Sequence, residues 1–194
     1  MRPFVHSCIL FVSGCLLLVS CQGNYTPKPR GYFRIDLPEK KYREYRGDCP
    51  FSFECPVYSE IENDRSRNAQ PCWINVDYKQ FKAKLHLSYK SVKEASLNSL
   101  IEDSRMLVYK HTAKADAINE TLIKNRNHVS GMFYDLQGST ASSVQFYLTD
   151  STTHFLRASL YFYSEPQPDS LAPVLDFLRK DVSHMIDSFR WTGK

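Results

Sequence analysis

The sequence predicts an α+β fold: an antiparallel β-sheet of about six to seven strands with two main helices packed on one face. Apolar and polar residues alternate through most of the chain after residue 50, which is the pattern of half-buried strands. Two segments instead repeat apolar residues at helical spacing. Turn signals such as Gly138-Ser139 leave hairpin-length connections between strands, and these favour antiparallel neighbours.

The order of the elements follows from where each pattern begins and ends. The strand-like runs are 51–58, 73–78, 83–89, 117–123, 129–137, 142–150 and 154–163. A first helix is predicted between the third and fourth runs, with the stripe Leu97, Ile101, Ser104, Val108, His111 and Ala115. A second helix closes the chain, with the stripe Leu171, Val174, Leu178, Val182, Met185 and Phe189. We therefore predict a single domain over residues 51–194.

The alternation also predicts what each face of the sheet carries. One face is apolar, and we expect it to contact the helices: Leu85, Leu87, Met132, Tyr134, Leu136, Val144, Phe146, Leu148, Leu156, Ala158 and Leu160. The other face mixes tyrosine, arginine and amide side chains, which are typical of protein interfaces. We predict a partner-binding patch there that contains Tyr147, Arg157 and Tyr161. An ordinary solvated sheet face would have a similar composition, so that alternative stays open.

The N-terminus has the features of an export signal. Arg2 precedes an apolar stretch over 8–19, which is shorter than the roughly 20 residues that cross a bilayer. Leu18 and Ser20 before Cys21 resemble the lipobox of bacterial lipoproteins, which is cut before a cysteine that then carries acyl chains such as palmitate. We therefore predict a lipoprotein signal peptide over 1–20 and lipidation of Cys21. An ordinary signal peptide, with Cys21 incidental, is the alternative.

Residues 21–50 form a predicted leader between the lipid and the domain. The segment is basic and contains Pro27, Pro29 and Pro38, and proline-rich chains are extended and semi-rigid. Its aromatic residues, among them Tyr42 and Tyr45, indicate that part of it packs on the domain.

Three cysteines follow Cys21, so in an oxidising compartment one pair can form and one thiol remains. Cys55 alternates onto the side of Phe51 and Phe53, where it would be buried as a small apolar residue. Cys49 and Cys72 lie just outside strand-like runs, which favours a Cys49–Cys72 disulfide. The sequence also permits a Cys55–Cys72 pair, especially if 51–58 and 73–78 form a hairpin.

No motif supports catalysis, a metal or a cofactor. Ser104 and His111 share a helix face, but two helical turns separate them by about 10 Å, too far for a serine–histidine couple. The six histidines are scattered, and no cysteine or histidine lies at close metal-ligand spacing. The net charge of +4 is mild and does not suggest a nucleic-acid partner. We therefore expect no enzymatic activity and no cofactor.

Several sequence blocks carry a resemblance to a known family. The most distinctive is Gln145-Phe146-Tyr147-Leu148-Thr149-Asp150-Ser151. The others are 27–34 with Leu37-Pro38, 49–54, 72–75, 86–90, 102–105, 110–112, 114–115, 131–135, 154–157 and 160–163. Together they make the chain similar to the gliding motility lipoprotein GldD family of the Bacteroidetes, over nearly all of the mature sequence.

The resemblance implies an outer-membrane lipoprotein, needed for gliding and for type IX secretion, with no known catalytic activity. It implies partners among other gliding or secretion lipoproteins or motor components. The family's cysteine blocks match Cys49 and Cys72, which adds weight to that pair. The order of strands and helices also resembles the Mog1/PsbP-like fold. A periplasmic ligand-binding lipoprotein module that uses the polar sheet face is the alternative function.

The predicted orientation rests on the residues after the lipid. Gln22-Gly23-Asn24 lack the charged cluster associated with surface display in this phylum, so we expect the domain to face the periplasm beneath the outer membrane.

Overall fold

The computed structural model describes residues 35–163 and 168–193, with side chains from residue 171 in the second part. The predicted signal peptide, Cys21 and the predicted leader as far as residue 34 lie outside the described residues. In chain order the elements are β1 (Tyr42–Arg46), β2 (Phe51–Pro56), β3 (Glu60–Asn63), β4 (Ile74–Tyr78), a 3₁₀ turn (Lys79–Phe81), β5 (Ala83–Ser91), α1 (Leu97–Tyr109), β6 (Ala115–Lys124), β7 (Ser130–Gly138), β8 (Val144–Thr149), β9 (His154–Phe162), α2 (Pro168–Ser188) and β10 (Arg190–Trp191).

These strands form two antiparallel sheets, which confirms the α+β class. The main sheet has seven strands in the order β3-β4-β5-β9-β8-β7-β6, and a small sheet has the order β1-β2-β10. The run predicted over 51–58 is a strand, but it belongs to the small sheet. Its partner β1 comes from the segment that we assigned to the leader, with Tyr42 paired to Pro56 and Arg46 to Ser52.

The two helices contact opposite faces of the main sheet, which corrects the expectation that both pack on one face. Tyr134 and Tyr147 pack with Leu100 and Val108 of α1. Asp135, which follows Tyr134 and points the other way, forms an ion pair with Arg179 of α2. We call these surfaces the α1 face and the α2 face.

The expectation was wrong because the strand register could not be read from alternation within single strands. Tyr134 pairs with Gln145 and Asp135 with Val144, so the apolar set of β7 lies on the α1 face and that of β8 on the α2 face. Every residue of β8 is buried, so the centre of the sheet is covered on both sides.

The α2 face is the larger core. The predicted stripe of α2 is buried there, with Leu178, Val182, Met185 and Phe189 fully inaccessible to solvent. Phe189 stacks with Phe51 of the small sheet at a centroid distance of 5.7 Å. Each fully buried side chain of this size stabilises the fold by about 1.5–3 kcal/mol through the hydrophobic effect.

Helix α1 ends earlier than its predicted stripe. The Ser96 hydroxyl caps its start by accepting a hydrogen bond from the Ser99 N–H at 3.2 Å. At its end the Thr112 hydroxyl donates to the Tyr109 carbonyl at 2.6 Å, one of the carbonyls that a helix leaves unpaired. His111 therefore lies in a turn, and Ala115 begins β6.

A disulfide joins Cys49 and Cys72, whose Cα atoms are 5.4 Å apart, and Cys55 is a buried free thiol. A hairpin between 51–58 and 73–78 would have favoured the alternative Cys55–Cys72 pair. Instead β2 and β4 lie in different sheets. The bridge thus ties the end of the small sheet to the start of β4.

Candidate functional site

Helix α1 covers only part of its face and leaves a cleft of about 310 Å³ beside it. The sheet side of the cleft consists of Trp73, Ser88, Lys90, Phe155 and Arg157. The helix side consists of Leu100, Asp103, Ser104, Met106 and Leu107. Its size is at the lower end of ligand pockets, which hold roughly 300–1,000 Å³.

Arg157 lies in the floor of the cleft, in the centre of the main sheet. Its Nη2 donates to the Gln145 Oε1 at 2.6 Å, while its Nε is buried without a hydrogen-bond partner. Burial lowers the pKa of the Arg157 guanidinium, although an arginine keeps its charge at any physiological pH. Among the residues that the structure describes, no ion pair includes Arg157. Its positive charge therefore has no counter-charge there.

Gln145, on the neighbouring strand β8, accepts the hydrogen bond from the Arg157 guanidinium. The side chain is 1% exposed, and its Oε1 also accepts a hydrogen bond from the Ser159 hydroxyl at 3.4 Å. Its Nε2 is buried without a partner. An amide in this position holds a guanidinium without neutralising it, because an amide carries no charge.

Two side chains beside Arg157 are fixed by the disulfide and by strand pairing. The Trp73 Nε1 donates to the Tyr89 carbonyl at 3.0 Å, and the preceding Cys72 is disulfide-bonded with a left-handed φ of 61°. The Lys90 Nζ lies 6.0 Å from the Trp73 ring centroid. Strand register pairs Arg157 with Ser88, so Lys90 is its diagonal neighbour on the same face, about 7–8 Å away.

The helix contributes one acidic and several apolar groups. Ser104 is buried within α1, and Asp103 places a carboxylate on the wall opposite the sheet. The formal charge of the lining is +1, from Lys90 and Arg157 against Asp103. Burial and then the charge of Arg157 lower the pKa of nearby His111, so that imidazole adds little positive charge near neutral pH.

The three residues of the predicted partner-binding patch lie on the α1 face but differ in exposure and in their neighbours. Tyr147 pairs with Arg157 across β8 and β9, but it is only 8% exposed and stacks with Phe155 in the core beneath α1, at a centroid distance of 5.3 Å. Tyr161 lies further along β9, pairs with Lys84 and contacts the His86 ring at 5.7 Å. Of the three, Arg157 alone lines the cleft, and Tyr147 is too buried to be a surface contact.

Sequence reasoning missed Trp73 and Lys90 as site residues. Continued alternation past residue 89 places Lys90 on the face of Ser88, so that signal was present. Trp73 reaches the cleft through the disulfide and the hydrogen bond to Tyr89, and no local pattern encodes either contact.

A second polar cluster lies on the α2 face around Asp181, which is fully buried. Its Oδ1 accepts from the Lys40 Nζ at 2.6 Å and from the Tyr42 hydroxyl at 3.0 Å, and its Oδ2 accepts from the Tyr58 hydroxyl. Burial and the hydrogen bond to Asp181 raise the pKa of Tyr42 to about 12 and also raise the pKa of Tyr58. Burial lowers the pKa of Lys40 despite its pairing with Asp181. Because this carboxylate is fully engaged, the cluster is structural.

The described residues offer no group of three or more histidine, cysteine or acidic side chains that could hold a metal ion. Within the same part of the chain, no hydrogen bond joins Ser104 to His111. No helix among those described is long and apolar enough to span a bilayer.

Comparison with known proteins gives a family match and likenesses to solved structures. Residues 22–191 match the family described as gliding motility lipoprotein GldD. Comparison with curated protein sequences found no significant match. Among solved structures, cyanobacterial PsbP (CyanoP) from Synechocystis sp. is similar, with 11% identity and a TM-score of 0.46. The likeness covers 82% of this chain and 97% of the cyanobacterial protein. We draw no functional conclusion from a likeness at that level.

Proposed function

Because this chain belongs to the GldD family of gliding motility lipoproteins, we propose that it is a non-enzymatic accessory component of the gliding motility and type IX secretion machinery. The observation that carries the proposal is the extent of the family match. It covers residues 22–191, which include both the leader and the whole folded domain. The partners that we propose are other gliding or secretion lipoproteins or motor components.

We propose that lipid on Cys21 anchors the protein in the outer membrane, with the domain facing the periplasm. The lipobox that ends at Cys21 supports the anchor. The uncharged Gln22-Gly23-Asn24 supports the orientation. An acylated cysteine needs more than one chain for stable attachment, since a single acyl chain binds a membrane only marginally.

A deletion strain with plasmid-borne variants tests both proposals. We expect deletion to abolish spreading on agar and export of a type IX cargo protein, and the wild-type gene to restore both. Cys21→Ala should leave the protein unacylated, outside the outer-membrane fraction, and fail to restore either activity. Cys15→Ala is the matched control, because it changes another cysteine of the signal, and it should restore both. Normal secretion in the deletion strain would overturn the role in the secretion machinery.

Co-purification from solubilised envelopes tests the partners. Recovery of motor or secretion components with the wild-type protein is the expected result. The cleft beside α1 favours a second candidate, a periplasmic ligand-binding module. Recovery of the chain alone with a bound small molecule would favour that candidate and contradict the accessory role.

A further inference from the structure

The cleft beside α1 contains a positive charge that no ion pair among the described residues neutralises. Arg157 is half-buried, its one described side-chain acceptor is the neutral amide of Gln145, and its Nε has no partner. Taking a charge out of water is costly unless a counter-charge or several hydrogen bonds replace the lost hydration. A bound anion would supply both.

The geometry of a guanidinium limits the class of anion that can bind in the cleft. A planar carboxylate can accept two parallel N–H bonds from one arginine, and such bidentate pairs are among the stronger hydrogen bonds in proteins. The Arg157 Nε is covered by protein, so an acceptor in the cleft would reach the guanidinium through its Nη atoms, of which Nη2 also donates to Gln145. Lys90, diagonal to Arg157 on the same face, adds a second positive charge.

The rest of the lining requires an apolar group on the same ligand. Trp73, Phe155 and Leu107 present apolar surface, and Met106 at the rim is 55% exposed. The Asp103 carboxylate, on the helix wall, disfavours a second anionic group and can accept an N–H from the ligand. An inorganic anion would leave most of the 310 Å³ unfilled.

We propose that this cleft binds a carboxylate that carries an apolar group, with Arg157 and Lys90 binding the carboxylate and Trp73 and Leu107 contacting the apolar part. The C-terminal residue of a polypeptide has this chemistry, and so does a fatty acid. Binding of the peptide form would use Asp103 as the acceptor of the amide N–H. The inference does not depend on the role in gliding or secretion.

Calorimetric titration of the full-length protein in a non-ionic detergent tests the proposal. The probes are acetyl-Ala-Phe with a free carboxylate, the same dipeptide as its amide, and 4-phenylbutyrate. We expect the free carboxylate to bind more than tenfold tighter than the amide, since a hydrogen bond to a charged group contributes about 1.5–3 kcal/mol. Equal binding of the two dipeptides, or no binding of any probe at millimolar concentration, would overturn the proposal.

Variants then locate the site and identify the source of the carboxylate. Arg157→Met should weaken binding more than tenfold, whereas Arg179→Met on the other face should leave it unchanged. Ser104→Leu fills the cleft without altering a charge and should also abolish binding; unchanged binding in either cleft variant would contradict the assignment. Phenylbutyrate bound as tightly as the dipeptide, with no effect of Asp103→Asn, supports a fatty-acid-like ligand. Tighter dipeptide binding that Asp103→Asn weakens supports a polypeptide terminus.

Discussion

Arg157 and Arg179 lie half-buried on opposite faces of the same sheet, and their surroundings differ in one respect. Arg179 forms ion pairs with Asp135 at 2.5 Å and with Asp176 at 2.7 Å. Arg157 contacts the neutral amide of Gln145 instead. Each has a buried Nε without a partner, so the difference lies in the counter-charge.

The comparison shows on which face of the sheet the charged side chains are neutralised by other residues of the chain. On the α2 face the ionic groups described above, Arg179 and Asp181, have partners of opposite charge within the chain. On the α1 face Arg157 has no such partner in the part of the chain that the structure describes. Removing a polar group that stabilises the fold should lower the stability of the domain. Removing a group whose role is to bind a ligand need not lower it.

The largest effect is expected at Asp181. Asp181→Asn removes the counter-charge of Lys40 and should destabilise the domain by about 2–3 kcal/mol, somewhat less than a fully buried pair because the Lys40 side chain is 27% exposed. Urea unfolding followed by circular dichroism measures the loss. The double variant Lys40→Met/Asp181→Asn should be less destabilised than the sum of the two single variants. Additive losses would mean that the pair is not coupled.

The second-largest expected effect is a loss of stability at alkaline pH. The pKa of Tyr42 is raised from its usual value near 10 to about 12, so between those pH values the unfolded chain releases the phenolic proton while the folded chain keeps it. The stabilisation is therefore complete below pH 10 and is lost as the pH rises towards 12. Tyr42→Phe should flatten this decline in the unfolding midpoint.

Tyr134, whose pKa is raised to about 12 chiefly by burial, is the matched case on the α1 face. In an Asp181→Asn background the contribution of Tyr42 should shrink, because the residue that accepts its hydrogen bond no longer carries a negative charge, while the contribution of Tyr134 should not change. If Asp181→Asn changed the contributions of Tyr42 and Tyr134 to the alkaline loss of stability equally, Asp181 would have no specific effect on Tyr42.

Arg179→Met should destabilise the domain by about 1 kcal/mol. The change leaves Asp135 and Asp176 without their partner, but both carboxylates retain contact with water and the net value of such pairs is small. Differential scanning calorimetry measures the shift, with Asp176→Asn as the control for the more exposed pair. A loss of several kcal/mol would show that the pair is effectively buried.

The smallest effect is expected from the double variant Gln145→Leu/Arg157→Met. It removes both members of the polar contact on the α1 face and replaces them with apolar groups, so stability should change little or rise. The same variant should lose the carboxylate binding proposed above. A large loss of stability would place Arg157 with Arg179 as a structural residue and remove the distinction between the faces.

Period-two alternation predicted where strands occur far better than it predicted which face of the sheet each side chain lies on. Each of the seven predicted runs contains a strand, because period-two patterning is a local property of half-buried strands. Three strands were missed: β1 lies in the segment that we assigned to the leader, and the four-residue edge strand β3 and the two-residue β10 give little pattern. Which face carries Tyr134 depends on its pairing with Gln145, and register is a non-local property.

The site was predictable only in part for the same reason. Arg157 stood out because an arginine alternates with apolar residues in a strand that the sequence already indicated. Tyr147 looked equivalent, but α1 covers it, and the position of a helix over a sheet cannot be read from the period of either. Trp73 reaches the site through its hydrogen bond to Tyr89 of β5 and through the disulfide of the preceding Cys72, and both contacts join segments that are distant in the sequence.

The contacts of Asp181 also have a mechanical consequence. Lys40 and Tyr42 both bind this residue of α2, and Tyr42 begins the ladder between β1 and β2. Tension arriving from the N-terminal side must pass Lys40 before it reaches that ladder. If β1 were peeled away from its first residue, the hydrogen bonds between β1 and β2 would break one at a time. If the first residue is held in place, these hydrogen bonds bear the force together. Since forced unfolding is governed by the rate of unfolding, Asp181 would determine how long the domain withstands a pull from its N-terminal side.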